Sequence, residues 1–210
     1  MLELKNVSKR FGKKTVIRDL NLEIGAGEII CLKGSNGAGK STLITMMAGV
    51  LVPDEGSILY DGKDIFKNKK EYKKKTGYVP QSAALYNELS GMENLKYWGG
   101  LQGLKGEQLM ERIAKVLEFT ELPPEDLKKK TSTYSGGMRQ RINIAAAILH
   151  NPALLLLDEP SAGIDEPSRE RLCRVLRELN SQGTTILYTG HYRDELEDLN
   201  GRRIDLDKMS

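Results

Sequence analysis

Glu28-Ile-Ile-Cys-Leu-Lys33, then Gly34-Ser35-Asn36-Gly37-Ala38-Gly39-Lys40-Ser41-Thr42, then Leu43-Ile-Thr-Met-Met-Ala48: this stretch decides the fold. Its middle satisfies a phosphate-loop pattern: a glycine, four residues, then Gly-Lys-Ser. The apolar run before it predicts a short buried strand, and the run after it the opening of a helix. Three glycines let the backbone curl so that successive N–H groups face an anion. The helix N-terminus adds the positive end of its dipole at the same point. Lys40 is long enough to reach the outer phosphates of a nucleotide, and the Ser41 hydroxyl suits Mg²⁺.

Working outward, Leu2, Leu4 and Val7, then Val16, Leu20, Leu22 and Ile24, follow a strand-like alternation before the turn Gly25-Ala-Gly27. Ser57-Ile-Leu-Tyr60 followed by Asp61-Gly62 predicts a hairpin corner. Short antiparallel β-structure is therefore expected around the loop. From about Leu85 to Lys130 the texture turns helical, with Leu109, Ile113, Val116 and Leu117 on one face. Pro123-Pro124 closes that region. Afterwards helix and strand alternate. Gly136 to Leu149 is helical, and Leu154 to Leu157 is an unbroken apolar run expected of a parallel strand buried on both faces. A second helix carries Leu172, Val175, Leu176 and Leu179, and Thr184 to Thr189 forms another buried strand. The expected class is α/β: a parallel core, an N-terminal antiparallel β subdomain and an inserted helical subdomain.

Other candidate chemistry falls on the ends of these elements. Asp158 and Glu159 close the apolar strand, at the sheet edge where ligands of parallel sheets gather. Asp158 suits Mg²⁺, and Glu159 is a candidate general base for an attacking water. Gln81, after Val79-Pro80, offers an amide oxygen to Mg²⁺ or water. His191 follows Thr189-Gly190, placing a neutral imidazole where it can bond a γ-phosphate. Ser135 caps the helix that begins Gly136-Gly137, forming a second anion-binding face suited to another molecule's nucleotide.

The 210 residues fit one large domain, or one domain with a small inserted lobe, and 39% apolar content supports a sizeable core. With 32 basic and 29 acidic residues the net charge is +3, which does not point to nucleic acid. The lysine-rich stretch Lys67 to Lys75 could meet anionic headgroups or nucleic acid, but without an aromatic ladder it reads as a solvated face. Two cysteines, Cys31 and Cys173, lack metal-type spacing and read as reduced core residues of a cytosolic protein. Met1-Leu-Glu-Leu-Lys-Asn does not resemble a signal peptide, and no apolar run is long enough to cross a bilayer. Any membrane role would run through a partner.

The order of motifs resembles that of ATP-binding cassette ATPases over nearly the whole chain: phosphate loop, Gln81, Ser135-Gly136-Gly137, the strand ending Asp158-Glu159, then His191. The resemblance implies a P-loop NTPase-like core and a single ATPase domain over 1–210. About 1–81 and 135–210 would make up the core with its antiparallel subdomain, and about 82–134 the helical one. It implies ATP and Mg²⁺ as ligands. ATP would be bound by Phe11 and residues Gly34 to Thr42, and Mg²⁺ by Ser41, Gln81 and Asp158. Catalysis would fall to Glu159, His191 and Lys40.

The family pattern further implies a head-to-tail homodimer or heterodimer, with Ser135, Gly136 and Gly137 completing the partner's ATP site and the Asp165 loop signalling across the dimer. Phe11 would stack on adenine. The Gln81 loop and helical lobe would grip separate polytopic transmembrane subunits at the cytoplasmic face of a membrane. The stretches Leu85 to Leu95 and Trp98 to Gly103 look like the multidrug and polysaccharide exporter branch. A soluble cassette ATPase of cofactor assembly or another non-transport process is the alternative. Departures are Tyr134 and Met138 where Leu and Gln are commoner, Phe11 for Tyr, and Gly-Ile-Asp165 for Ala-Leu-Asp. The end of the chain leaves no room for a regulatory domain, and the usual closing strands look trimmed.

Overall fold

The computed structural model describes residues 1–120, 123–190 and 199–209. Strands β1 (Leu2–Phe11), β2 (Lys14–Ile24), β4 (Glu55–Tyr60) and β5 (Lys63–Asp64) form an antiparallel sheet in the order β2-β1-β4-β5. Between β4 and β5, Asp61 and Gly62 both take positive φ, 49° and 74°, as a two-residue hairpin turn requires. Strands β3 (Ile29–Lys33), β6 (Thr76–Val79), β7 (Leu154–Leu157), β8 (Thr185–Thr189) and β9 (Arg202–Asp205) form a parallel sheet in the order β6-β7-β8-β3-β9.

The pleat divides the apolar strands between two cores. Leu154 and Leu156 of β7 belong to one, and Leu155 and Leu157 to the other. Ile30 and Leu32 of β3 part from Cys31 in the same way, and Leu187 of β8 parts from Ile186 and Tyr188. Strands buried on both faces show no polar alternation, which is why these runs are unbroken. One core holds α1 (Lys40–Met47) and the inner face of the antiparallel sheet, through Leu43, Met47, Leu4 and Ile24. The other holds α5 (Gly136–Ile148), α6 (Glu166–Ser181) and the helical lobe of α3 (Gly91–Leu101) and α4 (Gly106–Thr120). On α4, Ile113 and Val116 are buried, with Leu109 and Leu117 packed beside them.

The lobe is joined by polar contacts as well. Asn94, fully buried, donates to the carbonyls of Tyr86 and Ser90 at 3.1 and 3.0 Å and accepts from Tyr86 N–H at 2.8 Å. Ser90 caps α3, its hydroxyl accepting from Glu93 N–H while Glu93 accepts from Ser90 N–H. Tyr134, where the family resemblance favours Leu, is buried and donates its hydroxyl to Asp126 O at 2.6 Å. In α2 (Lys69–Lys75) only Tyr72 is buried, so the lysines form a solvated face. Both cysteines are buried and unbridged.

Among the described residues a closing strand is present. β9 pairs with β3 in parallel, Ile30 opposite Arg202 through Lys33 opposite Asp205. As an edge strand it buries only Ile204, so Arg-Arg-Ile-Asp carries almost no apolar signature.

Candidate active site

The glycine loop leaves β3 and enters α1. Gly39 sits at the helix N-cap with φ 94°, and a Cβ there would lie 2.7 Å from Ile17 Cδ1 and 2.9 Å from Val16 Cγ1. Strand β2 thus backs the loop so closely that only glycine fits. In front is an open cavity of about 290 Å³, lined among others by Phe11, Gly37, Lys40, Ser41, Thr42 and Glu159. Asn36 and Gly39 also line it, while Gly34, Ser35 and Ala38 belong to the same turn outside that lining. Phe11 is 52% exposed at the cavity's edge, with the Lys9 ammonium over its ring at 5.8 Å from the centroid. Among the described residues nothing lies within 4 Å of a Cβ built on Gly37.

Lys40 is buried, and its ammonium donates to Gly34 O at 2.8 Å and Ser35 O at 3.1 Å. Next to it a hydrogen-bonded chain ties α1 and β8 to the segments that follow β6 and β7. Ser41 Oγ donates to Asp158 Oδ1 at 3.1 Å, and Thr189 Oγ1 donates to the same oxygen at 3.0 Å. Glu159 N–H donates to Thr189 Oγ1 at 2.7 Å, and Gln81 Nε2 donates to Glu159 Oε2 at 2.9 Å. Burial holds the Asp158 carboxyl above the usual carboxylate range, against the pull of the Thr189 and Ser41 hydroxyls. A buried carboxylate beside a serine hydroxyl is an oxygen donor pair suited to a hard cation such as Mg²⁺. Glu159 takes φ 47°, a left-handed conformation that costs a non-glycine residue energy.

Ser135, Gly136 and Gly137 are not brought to this cavity. They open α5 elsewhere, where Ser135 is exposed and caps Met138 N–H at 3.2 Å. Their neighbour is the Asp165 loop. A Cβ on Gly136 would lie 3.4 Å from Gly163 O, and one on Gly137 3.1 Å from Ser168 Oγ. Asp165 caps α6 through Ser168 N–H at 3.0 Å, and the Ser168 bonds hold its carboxyl below the usual range. His191 lies outside the described residues.

Two participants escaped sequence reading. Thr189 carried no signal in the sequence; in the structure its hydroxyl is fully buried at the end of β8. Asp207 carried none either. Its carboxylate meets Ser35 across 172 residues.

Comparison with known proteins follows the same lines. The chain is 44% identical over 197 residues to the Linearmycin resistance ATP-binding protein LnrL of Bacillus subtilis (strain 168), covering 94% of this chain and 63% of that protein. It is 37% identical over 199 residues to the Nod factor export ATP-binding protein I of Cupriavidus metallidurans, covering 95% and 65%. The chain thus spans less than two thirds of these curated relatives. A solved dimeric, post-hydrolysis state of an ATP-binding cassette bound to ADP and Pi superposes with TM-score 0.88 at 29% identity, covering 98% of this chain and 94% of that one. The family model for ABC transporter matches residues 17–162, a span running from the strand behind the glycine loop to just beyond Asp158 and Glu159. Motif order, sheet topology and this match agree, and the chain belongs to the ABC transporter family.

Proposed function

We propose that this chain is the ATP-hydrolysing subunit of a transporter, driving export through separate membrane-spanning chains. The observation that carries the reading is the bonded set Ser41–Asp158–Thr189–Glu159–Gln81 beside the glycine loop. The triphosphate of ATP enters the cavity against the loop amides and Lys40, with Phe11 against the base. Ser41 and Asp158, with Gln81 close by, would hold Mg²⁺, which when bound neutralises charge on the outer phosphates. Glu159 takes a proton from the attacking water. Its backbone is fixed by Thr189 and its carboxylate by Gln81, so the base is oriented before substrate arrives. His191 is assigned to the γ-phosphate on sequence grounds alone.

Ser135, Gly136 and Gly137 serve the nucleotide of a second cassette, and the Asp165 loop beside them relays its state. The domain division at about 81 and 135 belongs to the same proposal, with the helical lobe as the moving part. Among the described residues no helix is long and apolar enough to cross a membrane. A groove of about 300 Å³ between the core and the lobe supports docking of a partner. Its lining includes Trp98, Asn143 and His150, whose buried Nε1, Nδ2 and Nδ1 atoms have no hydrogen-bond partner among the described residues. Export follows the resistance and export roles in the relatives' names.

The test measures ATP affinity and phosphate release for the wild type and Lys40→Ala. ATP at about 100 times its Kd should add roughly 2.7 kcal/mol of stability and raise the melting temperature by about 5–10 °C. Lys40→Ala should abolish both that shift and turnover. Equal ATP affinity in the two proteins would remove the loop from nucleotide binding.

A further inference from the structure

The turn that follows β9, Leu206–Lys208, lies against the glycine loop. Asp207 Oδ2 accepts the Ser35 N–H at 2.7 Å, and Oδ1 accepts the Ser35 hydroxyl at 2.9 Å. That N–H belongs to the Gly34–Ser35 peptide unit. The carbonyl of the same unit, Gly34 O, accepts from Lys40 Nζ at 2.8 Å. In a trans peptide the N–H and C=O point to opposite sides. One peptide plane is therefore held by an ammonium on one side and a carboxylate on the other.

The plane needs holding. Gly34 has φ 154°, a region open to glycine and closed to most side chains, so on its Gly34 side the unit lacks the Cβ that would otherwise restrict ψ. Leu206 Cβ and Asp207 Oδ1 stand 3.5 and 3.8 Å from where a Gly34 Cβ would be, so the turn packs directly on the pivot. Parallel pairing of β3 with β9, Lys33 opposite Asp205, delivers the loop and the turn to the same sheet edge.

We propose that Asp207 is a positioning residue for Lys40. By pinning the Gly34–Ser35 plane it keeps Gly34 O turned toward the ammonium and holds the loop in its phosphate-ready curl before nucleotide arrives. Rotation of the plane would withdraw the main acceptor of Lys40 and turn the Ser35 N–H inward. The ready form would then be only part of the population, and apparent affinity would fall by that fraction. This inference rests on the nucleotide reading of the cavity.

Hydrogen–deuterium exchange on nucleotide-free protein tests the latch independently of that reading. Asp207→Ala should speed exchange of the Ser35 amide about tenfold, the loss of one charge-assisted bond. ATP affinity, read with a fluorescent analogue, should weaken about 3- to 10-fold, and the ATP-induced rise in melting temperature should shrink. Asp207→Asn keeps one carbonyl oxygen for the Ser35 N–H and should recover most of each effect. A merely structural role would lower the melting temperature equally with and without ATP. Unchanged Ser35 exchange in Asp207→Ala, or unchanged ATP affinity despite faster exchange, overturns the proposal. A wild type that fails to bind ATP overturns the nucleotide reading, while the exchange comparison still decides the latch.

Discussion

Asp158 and Glu159 are adjacent in sequence yet placed in different environments. Asp158 is 3% exposed and its charge is disfavoured by burial, whereas Glu159 is only half-buried and faces the cavity. The first suits a fixed cation ligand and the second a base that must meet water. Glu159→Gln preserves shape and the contact with Gln81 but removes the basic oxygen. Steady-state phosphate release should fall by roughly 10²- to 10⁴-fold with ATP affinity retained. Normal turnover in that variant would take the role away from Glu159. These two acids were legible because they close an apolar strand. Thr189, which ties them together, was not singled out, because a threonine ending a strand carries no meaning until the neighbouring strand is known. Asp207 and Ser35 are 172 residues apart, and no local pattern connects them.

At the scale of elements, β7 and α4 could be read directly, since a fully apolar run and a 3.6-residue period are local signals. β9 could not, because pairing with β3 rather than composition makes it a strand. The join of the helical lobe to the segment before it was equally hidden, since it depends on one buried amide. Asn94→Ala would leave a void and strand the Tyr86 N–H, whereas Tyr86 O keeps the Thr131 hydroxyl and Leu89 N–H and Ser90 O keeps the backbone N–H of residue 94. The expected cost is about 2–3 kcal/mol, a fall of about 5–10 °C in melting temperature by calorimetry. A change below about 1 kcal/mol would show that water replaces the amide.

His150, beyond the end of α5, gives the fold a pH dependence. Burial, aided by Arg112, lowers its pKa, while the contact of Nε2 with Thr76 O opposes the shift. Lys73 shares the groove it lines. The unfolded chain therefore takes up a proton near pH 6.5 that the folded chain resists. Its contribution is complete above about pH 6.5 and is lost as pH falls below that value. His150→Gln should flatten the decline in urea midpoint between about pH 7 and pH 5. An unaltered slope would assign the decline to other groups.

Across the whole molecule, the parallel sheet gathers the glycine loop, Gln81, Asp158, Glu159 and Thr189 at one edge, because every strand there runs the same way. The same architecture keeps the start of α5 away from that cavity. Ser135 is exposed, with Gly136 and Gly137 beside the Asp165 loop. Ser135→Arg would place a bulky cation on that rim and should abolish an ATP-dependent dimer in size-exclusion chromatography, while leaving ATP affinity of the single chain near the wild-type value. An intact dimer would exclude this rim from the interface.

On the proposed pairing of two cassettes, the separation of Ser135 from the glycine loop also sets a reaction order. A catalyst carrying two half-sites on opposite flanks runs slowly in dilute solution and accelerates per molecule as encounters become frequent, until pairing saturates. Tethering two copies with a flexible linker would erase that dependence on dilution.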